Sequence, residues 1–141
     1  MILRHKFVEH IPDAMEYGVL YVSVTYCTAM HLCACGCGNE VVTPISPTGW
    51  QLKFDGKAIS LSPSIGNWSF KCRSHYWIVK NEVRYAKKWD DDEIADGRLN
   101  ERKRKDEYFH EEFGVSEKTA TKKQKKKKQS IVGRFKSFFN F

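Results

Sequence analysis

Two short segments hold most of the reactive side chains of this chain: His31-Leu32-Cys33-Ala34-Cys35-Gly36-Cys37-Gly38 and Cys72-Arg73-Ser74-His75. In an extended backbone, residues i, i+2 and i+4 point to one side. The thiols of Cys33, Cys35 and Cys37 can therefore face a single point, and Gly36 and Gly38 let the chain curl around an ion. Cys72 and His75, three apart at the mouth of an expected strand, can close a tetrahedral site of the thiolate and imidazole kind that suits Zn²⁺. Cys33, Cys35, Cys37, Cys72 and His75 offer five donors for four places. Either His75 is a ligand and one cysteine is spare, or four cysteines hold the metal and His75 is free to act as a base. Free cysteine is often simply buried, but four clustered cysteines with two glycines read as a metal site, and a thiolate-rich set favours a structural ion. Cys27 is expected in a strand and in the core. His31 is either a further ligand, a base, or a histidine that merely satisfies its hydrogen bonds.

Between the two halves of this site runs Leu61-Ser62-Pro63-Ser64-Ile65-Gly66-Asn67-Trp68. Pro63 fixes φ and Gly66 permits a sharp turn, so a loop here can present the Ser64 hydroxyl rigidly. A serine nucleophile needs an adjacent base and donors for the oxyanion. His75 lies eleven residues on, and the metal site can bring the two together. The segment is not the Gly-x-Ser-x-Gly elbow, and read alone it is more simply a turn whose hydroxyls bond the backbone.

The elements that must position these groups read as strands and turns over residues 1–89. From Val19 to Cys27, Leu20, Val22, Val24 and Tyr26 alternate with Tyr21, Ser23 and Thr25, the period of a half-buried strand. Val41–Ile45 is a short apolar run. Trp50, Leu52 and Phe54 alternate up to Asp55-Gly56, a tight-turn signal, and Ile59 and Leu61 resume beyond it. Tyr76–Val79 and Glu82–Tyr85 form a second hairpin turning at Lys80-Asn81. Trp68, Phe70, Tyr76 and Trp77 belong either to the core or to a binding groove. The expected fold is thus mainly β, a small zinc-binding domain built of hairpins over 1–89.

A charged helical connector follows at 90–117, then a lysine-rich tail at 118–141. The formal charge of +7 is unevenly spread: +4 over 1–88, −6 over 89–117 and +9 over 118–141. Residues 118–129 have the composition of a disordered segment. Ile131, Val132, Phe135, Phe138 and Phe139 then fall on one helical face. A polybasic run beside such a face fits an anionic membrane surface or a partner protein through 122–141, or, less well, nucleic acid; packing on its own domain is the plain alternative. No stretch reaches the roughly 20 apolar residues of a membrane span, and the start lacks the layout of a signal peptide. The expected location is cytoplasmic, peripheral at the inner face of the membrane if the tail docks there, and the cysteines are expected as thiols or ligands rather than disulfides.

Four pieces of the chain, Gly18-Val19-Leu20-Tyr21-Val22-Ser23, the 31–38 segment, Leu61–Asn67 and Cys72-Arg73-Ser74-His75-Tyr76-Trp77-Ile78, together resemble the BubE family over roughly residues 5–90. Members of that family accompany bacterial ubiquitin-like conjugation operons. The resemblance implies a peptidase or isopeptidase that processes or removes a ubiquitin-like protein, with Ser64 and His75 carried over as the candidate catalytic pair. The alternative is a zinc-stapled module that binds protein or nucleic acid without turnover.

Overall fold

The computed structural model describes residues 1–136, with side chains described through Gly114. It divides into two units, Met1–Asp96 and Gly97–Phe141. The first is mainly β, as expected. Strands β1 (Arg4–Phe7), β2 (Val19–Ser23), β3 (Thr28–Leu32) and β4 (Glu40–Pro44) form one sheet, and β5 (Gln51–Phe54), β6 (Ile59–Gly66), β7 (His75–Val79) and β8 (Glu82–Tyr85) form a second, each in chain order. All neighbours are antiparallel except β1 and β2. The sheets touch at both edges. Ile2 bridges Glu82 on one side and Ile45 bridges Trp50 on the other, with Val83 donating to the Met1 carbonyl at 2.9 Å. Strand edges that would otherwise be open to pairing are thereby partly covered.

The apolar residues of both inner faces meet in one core: Leu3, Leu20, Val22, Ala29 and Val41 from the first sheet, and Ile59, Leu61, Ile65, Tyr76, Ile78 and Val83 from the second. Each fully buried aliphatic side chain contributes about 1.5–3 kcal/mol relative to exposure. Both expected hairpins are present. Asp55 Oδ1 accepts from the Lys57 and Ala58 N–H groups to close the first turn. The second turns at Lys80 and Asn81, both with positive φ.

Three local expectations are corrected. The strand from Val19 ends at Ser23, not Cys27: Ser23 Oγ takes the Tyr26 N–H, and Cys27 adopts φ +48° in a turn, which leaves Val24, Tyr26 and Cys27 exposed. Cys27 is therefore not a core residue. The segment from Leu61 to Gly66 is strand rather than loop, with a register shift between Leu61 and Ile65 that accommodates Pro63, whose missing N–H cannot join the ladder. The backbone is helical over Asp91–Lys136 (α1), through the lysine run that composition read as disordered. Lysine, glutamine and alanine are good helix formers whether or not they can build a core. Within the second unit Lys105 pairs with Glu101 at 2.6 Å across one turn. The apolar face proposed at 131–139 lies outside the residues whose side chains are described. No described helix is long and apolar enough to cross a membrane.

Candidate active site and metal centre

The cysteine segment is the turn between β3 and β4, not an extended strand. Cys33 N–H bonds the Asn39 carbonyl at 2.8 Å, Gly36 N–H bonds the Cys33 carbonyl at 3.0 Å, and Gly36 and Gly38 take φ values of +87° and +82° that favour glycine. Its three thiols converge because the chain folds back, not because side chains alternate. Cys72 reaches them from the tight turn that follows Asn67, where Arg73 N–H bonds the Phe70 carbonyl at 3.0 Å.

The Sγ atoms of Cys33, Cys35, Cys37 and Cys72 all lie within 4.8 Å of one another. With zinc–sulfur bonds of about 2.3 Å, a regular tetrahedron places its sulfurs about 3.8 Å apart. Cys72 Sγ is 3.8 Å from both Cys33 Sγ and Cys37 Sγ, and Cys33 Sγ is 3.4 Å from Cys35 Sγ. Four thiols this close, two of their separations at the tetrahedral value, fit a metal ion, zinc among those that thiolates select. The Asn39 backbone N–H, with further hydrogen bonds from Cys35 and the Asn39 side chain, draws the Cys37 thiol down to about 6, toward the thiolate that a ligand must be.

His75 stands outside this cluster. It opens β7, is 5% exposed, and has a partner on each ring nitrogen. Nδ1 lies 2.8 Å from the main-chain carbonyl of Lys87, and Nε2 lies 2.8 Å from Ser64 Oγ. A carbonyl oxygen only accepts, so Nδ1 carries the proton. Nε2 is then left with its lone pair directed at the serine hydroxyl, the orientation a general base requires. Ser64 and His75 come from adjacent strands, which is why residues eleven apart meet. Gly66 pairs with His75 in the register, and the shift between Leu61 and Ile65 sets Ser64 beside the imidazole.

Aromatic rings surround the histidine. Trp68 and Trp89 stack on each other at 5.2 Å and each meets the imidazole edge-on, at 4.9 and 5.1 Å, with Trp77 at 6.0 Å. Of the aromatic block singled out in the sequence, only Tyr76 is fully buried; Trp77 is 42% exposed on the same strand.

The two sites share a buried polar seam. Asn67 Nδ2 donates to Ser74 Oγ at 2.9 Å, and Ser74 Oγ lies 3.1 Å from Cys33 Sγ and 3.5 Å from Cys72 Sγ. Asn67 follows Gly66 and Ser74 precedes His75, so one pair of side chains ties the thiols to both strand ends of the Ser64–His75 pair. His31 joins neither site. It is fully buried, with Nε2 on the Tyr76 hydroxyl at 2.8 Å, and burial holds its pKa down at about 4.

The sequence did not signal Asn67, Ser74 or Trp89 as neighbours of the site, since each contributes through a fold-dependent contact. The Lys87 carbonyl has no side-chain signature at all. A signal for the segment behind it existed in Asp90-x-x-Glu93, the spacing of a capping box.

No curated protein and no solved structure matches the chain. The profile of the BubE family, described as bacterial ubiquitination-like system serine protease, matches residues 7–86, a span that contains Ser64, His75 and all four clustered cysteines. The chain therefore belongs to the BubE family of bacterial ubiquitination-like system serine proteases.

Proposed function

We propose that this protein is a serine peptidase or isopeptidase that cleaves after the C-terminus of a ubiquitin-like protein, with Ser64 as nucleophile and His75 as general base. The observation that carries the reading is the hydrogen bond from Ser64 Oγ to His75 Nε2 at 2.8 Å, with Nδ1 held by a carbonyl so that Nε2 is the acceptor. As Oγ attacks the scissile carbonyl, its proton passes to Nε2. The imidazolium returns that proton to the departing amine, leaving an acyl-serine. Water then gives up a proton to Nε2 as it attacks the acyl-serine, and the imidazolium returns that proton to Ser64 Oγ as the acyl–oxygen bond breaks, releasing the carboxylic product and the free hydroxyl. Trp68 and Trp89 shield the imidazole from bulk water, which strengthens the hydrogen bonds made there.

Cys33, Cys35, Cys37 and Cys72 would hold zinc as a scaffold, fixing the 33–37 turn to the 72–75 segment. A bound ion with four thiolate ligands has no open position for water and supplies structure. The family's description supports a ubiquitin-like partner.

Cleavage of a ubiquitin-like protein fused to a reporter tests the reading. Ser64→Ala and His75→Gln are expected to lower turnover by at least about 10³-fold while leaving KM and the folded state near wild type. Turnover retained in Ser64→Ala, or loss confined to metal-stripped protein, would move the chemistry away from the serine.

A further inference from the structure

The matched region ends at residue 86, one residue before the group that sets the His75 tautomer. In water, neutral imidazole prefers the proton on Nε2. That form would point an N–H at Ser64 and could not accept its proton. The Lys87 carbonyl opposes this preference, so its placement matters, and it sits in a stretch, 86–90, with no regular secondary structure.

What holds it is visible on either side. Upstream, the Ala86 N–H bonds the His75 carbonyl at 2.8 Å. Downstream, Asp90 and Glu93 form a reciprocal capping box: Glu93 N–H donates to Asp90 Oδ1 at 2.8 Å, and Asp90 N–H donates to Glu93 Oε2 at 3.0 Å. The other oxygen of the same carboxylate, Glu93 Oε1, accepts from Lys87 Nζ at 3.0 Å. Glu93 thus binds the cap of the helix with one oxygen and the side chain of Lys87 with the other. Its neighbour Ile94 is buried in the first unit, which anchors this turn to the domain, and Arg73 reaches Asp91 at 2.6 Å from the segment leading to His75.

We propose that Glu93 is a positioning residue for the Ser64–His75 pair. By closing the capping box and gripping Lys87, it holds the Lys87 carbonyl on His75 Nδ1 and so keeps Nε2 free to accept. The inference rests on the serine peptidase reading and adds the first turn of α1 to the working parts of the site. Loss of the acceptor on the far nitrogen of a catalytic histidine costs up to about 10⁴-fold; a displaced carbonyl is expected to cost about tenfold.

The test uses the full-length, metal-loaded chain and a fluorophosphonate, which needs no partner protein. Ser64 Oγ bonds to phosphorus, fluoride leaves, and the hydroxyl proton passes to His75. Glu93→Ala should lower the maximal labelling rate about tenfold with half-saturation unchanged, and the ¹⁵N signals of the His75 ring should move toward the Nε2–H tautomer. Glu93→Gln, whose amide oxygen still accepts the Asp90 N–H but whose NH₂ cannot accept from Lys87, should recover part of the rate lost in Glu93→Ala. Asp92→Ala, which removes a neighbouring first-turn carboxylate without a described partner, should label like wild type. Should Glu93→Ala fail to fold, Asp90→Ala opens the same box from the other side and carries the same expectation. Wild-type labelling and an unchanged tautomer in Glu93→Ala would overturn the proposal, as would an equal loss in Asp92→Ala. Labelling that survives Ser64→Ala would instead overturn the peptidase reading beneath it.

Discussion

At the scale of single residues, the site depends on small side chains that leave room for large ones. A Cβ added to Gly66 would lie 2.4 Å from Trp68 Cε2 and 2.5 Å from its Nε1, closer than any relaxed contact. Trp68 cannot move without leaving the Trp89 stack and the His75 edge. Gly66→Ala is therefore expected to destabilise the protein by about 1–3 kcal/mol and to lower turnover. Denaturant unfolding followed by tryptophan fluorescence, together with the cleavage assay, checks both. An unchanged midpoint would mean that Trp68 has freedom the packing does not suggest. Much at this scale was legible. The clustering of Cys33, Cys35, Cys37 and Cys72 followed from their types and two glycines. The partner of His75 did not, because its two possible roles differ only by which neighbour reaches each ring nitrogen, and one of those neighbours is a main-chain atom.

At the scale of elements, the four-thiol cluster lies between two turns, the one after β3 and the one before β7. Cys33 and Ala34 pack in the core and Phe70 and Cys72 pack against it, and an ion held by the four thiols would tie the two turns directly to each other. Cys72→Ala should reduce bound zinc well below one per chain, and should lower the melting temperature by roughly 10 °C or more if the loss exceeds about 2 kcal/mol. Cys27→Ala, at an exposed turn outside the cluster, should leave zinc content and melting unchanged. Metal analysis after gel filtration, with thermal unfolding, reads both. Period-two alternation located most of the strands, yet misjudged two boundaries. Alternation in Val24 and Tyr26 continued past the true strand end, since a hydroxyl-capped turn uses the same residue types as a strand. The proline and glycine around Ser64 signalled a loop, but the paired strands on either side carried the backbone through as β6.

At the scale of the whole molecule, the two sheets are joined by a polar contact as well as by the core. His31 belongs to β3 and Tyr76 to β7, and their 2.8 Å hydrogen bond crosses between the sheets in full burial. Desolvation lowers the His31 pKa from 6.5 to about 4. Between those values the unfolded chain binds a proton that the folded chain does not, so stability rises with pH through the window. The contribution is fully present above about pH 6.5 and declines as pH falls toward 4, by roughly 3 kcal/mol. Urea midpoints at pH 7.5 and 5 in wild type and His31→Gln check this. The wild type should lose more between the two values than the variant, and equal losses would exclude His31 as the source. The division into a β-rich unit and a charged helix was plain from composition. The closing of the two sheets at Ile2–Glu82 and Ile45–Trp50 was not, because the first joins residues far apart in the chain and the second is a single bridge across a turn, and neither leaves a periodic trace.

The acceptor on His75 Nδ1 belongs to the backbone, and this changes what variation at position 87 can report. Any amino acid there carries the same carbonyl, so a drifting lineage or an alanine scan would register the loss of the Lys87–Glu93 pair and pass over the acceptor itself. The demand falls instead on the path of the chain, which proline at Lys88 or an altered number of residues between Tyr85 and Asp90 would disturb. A role of this kind is recorded in spacing and in conformation, and a search that scores side-chain identity alone is blind to it.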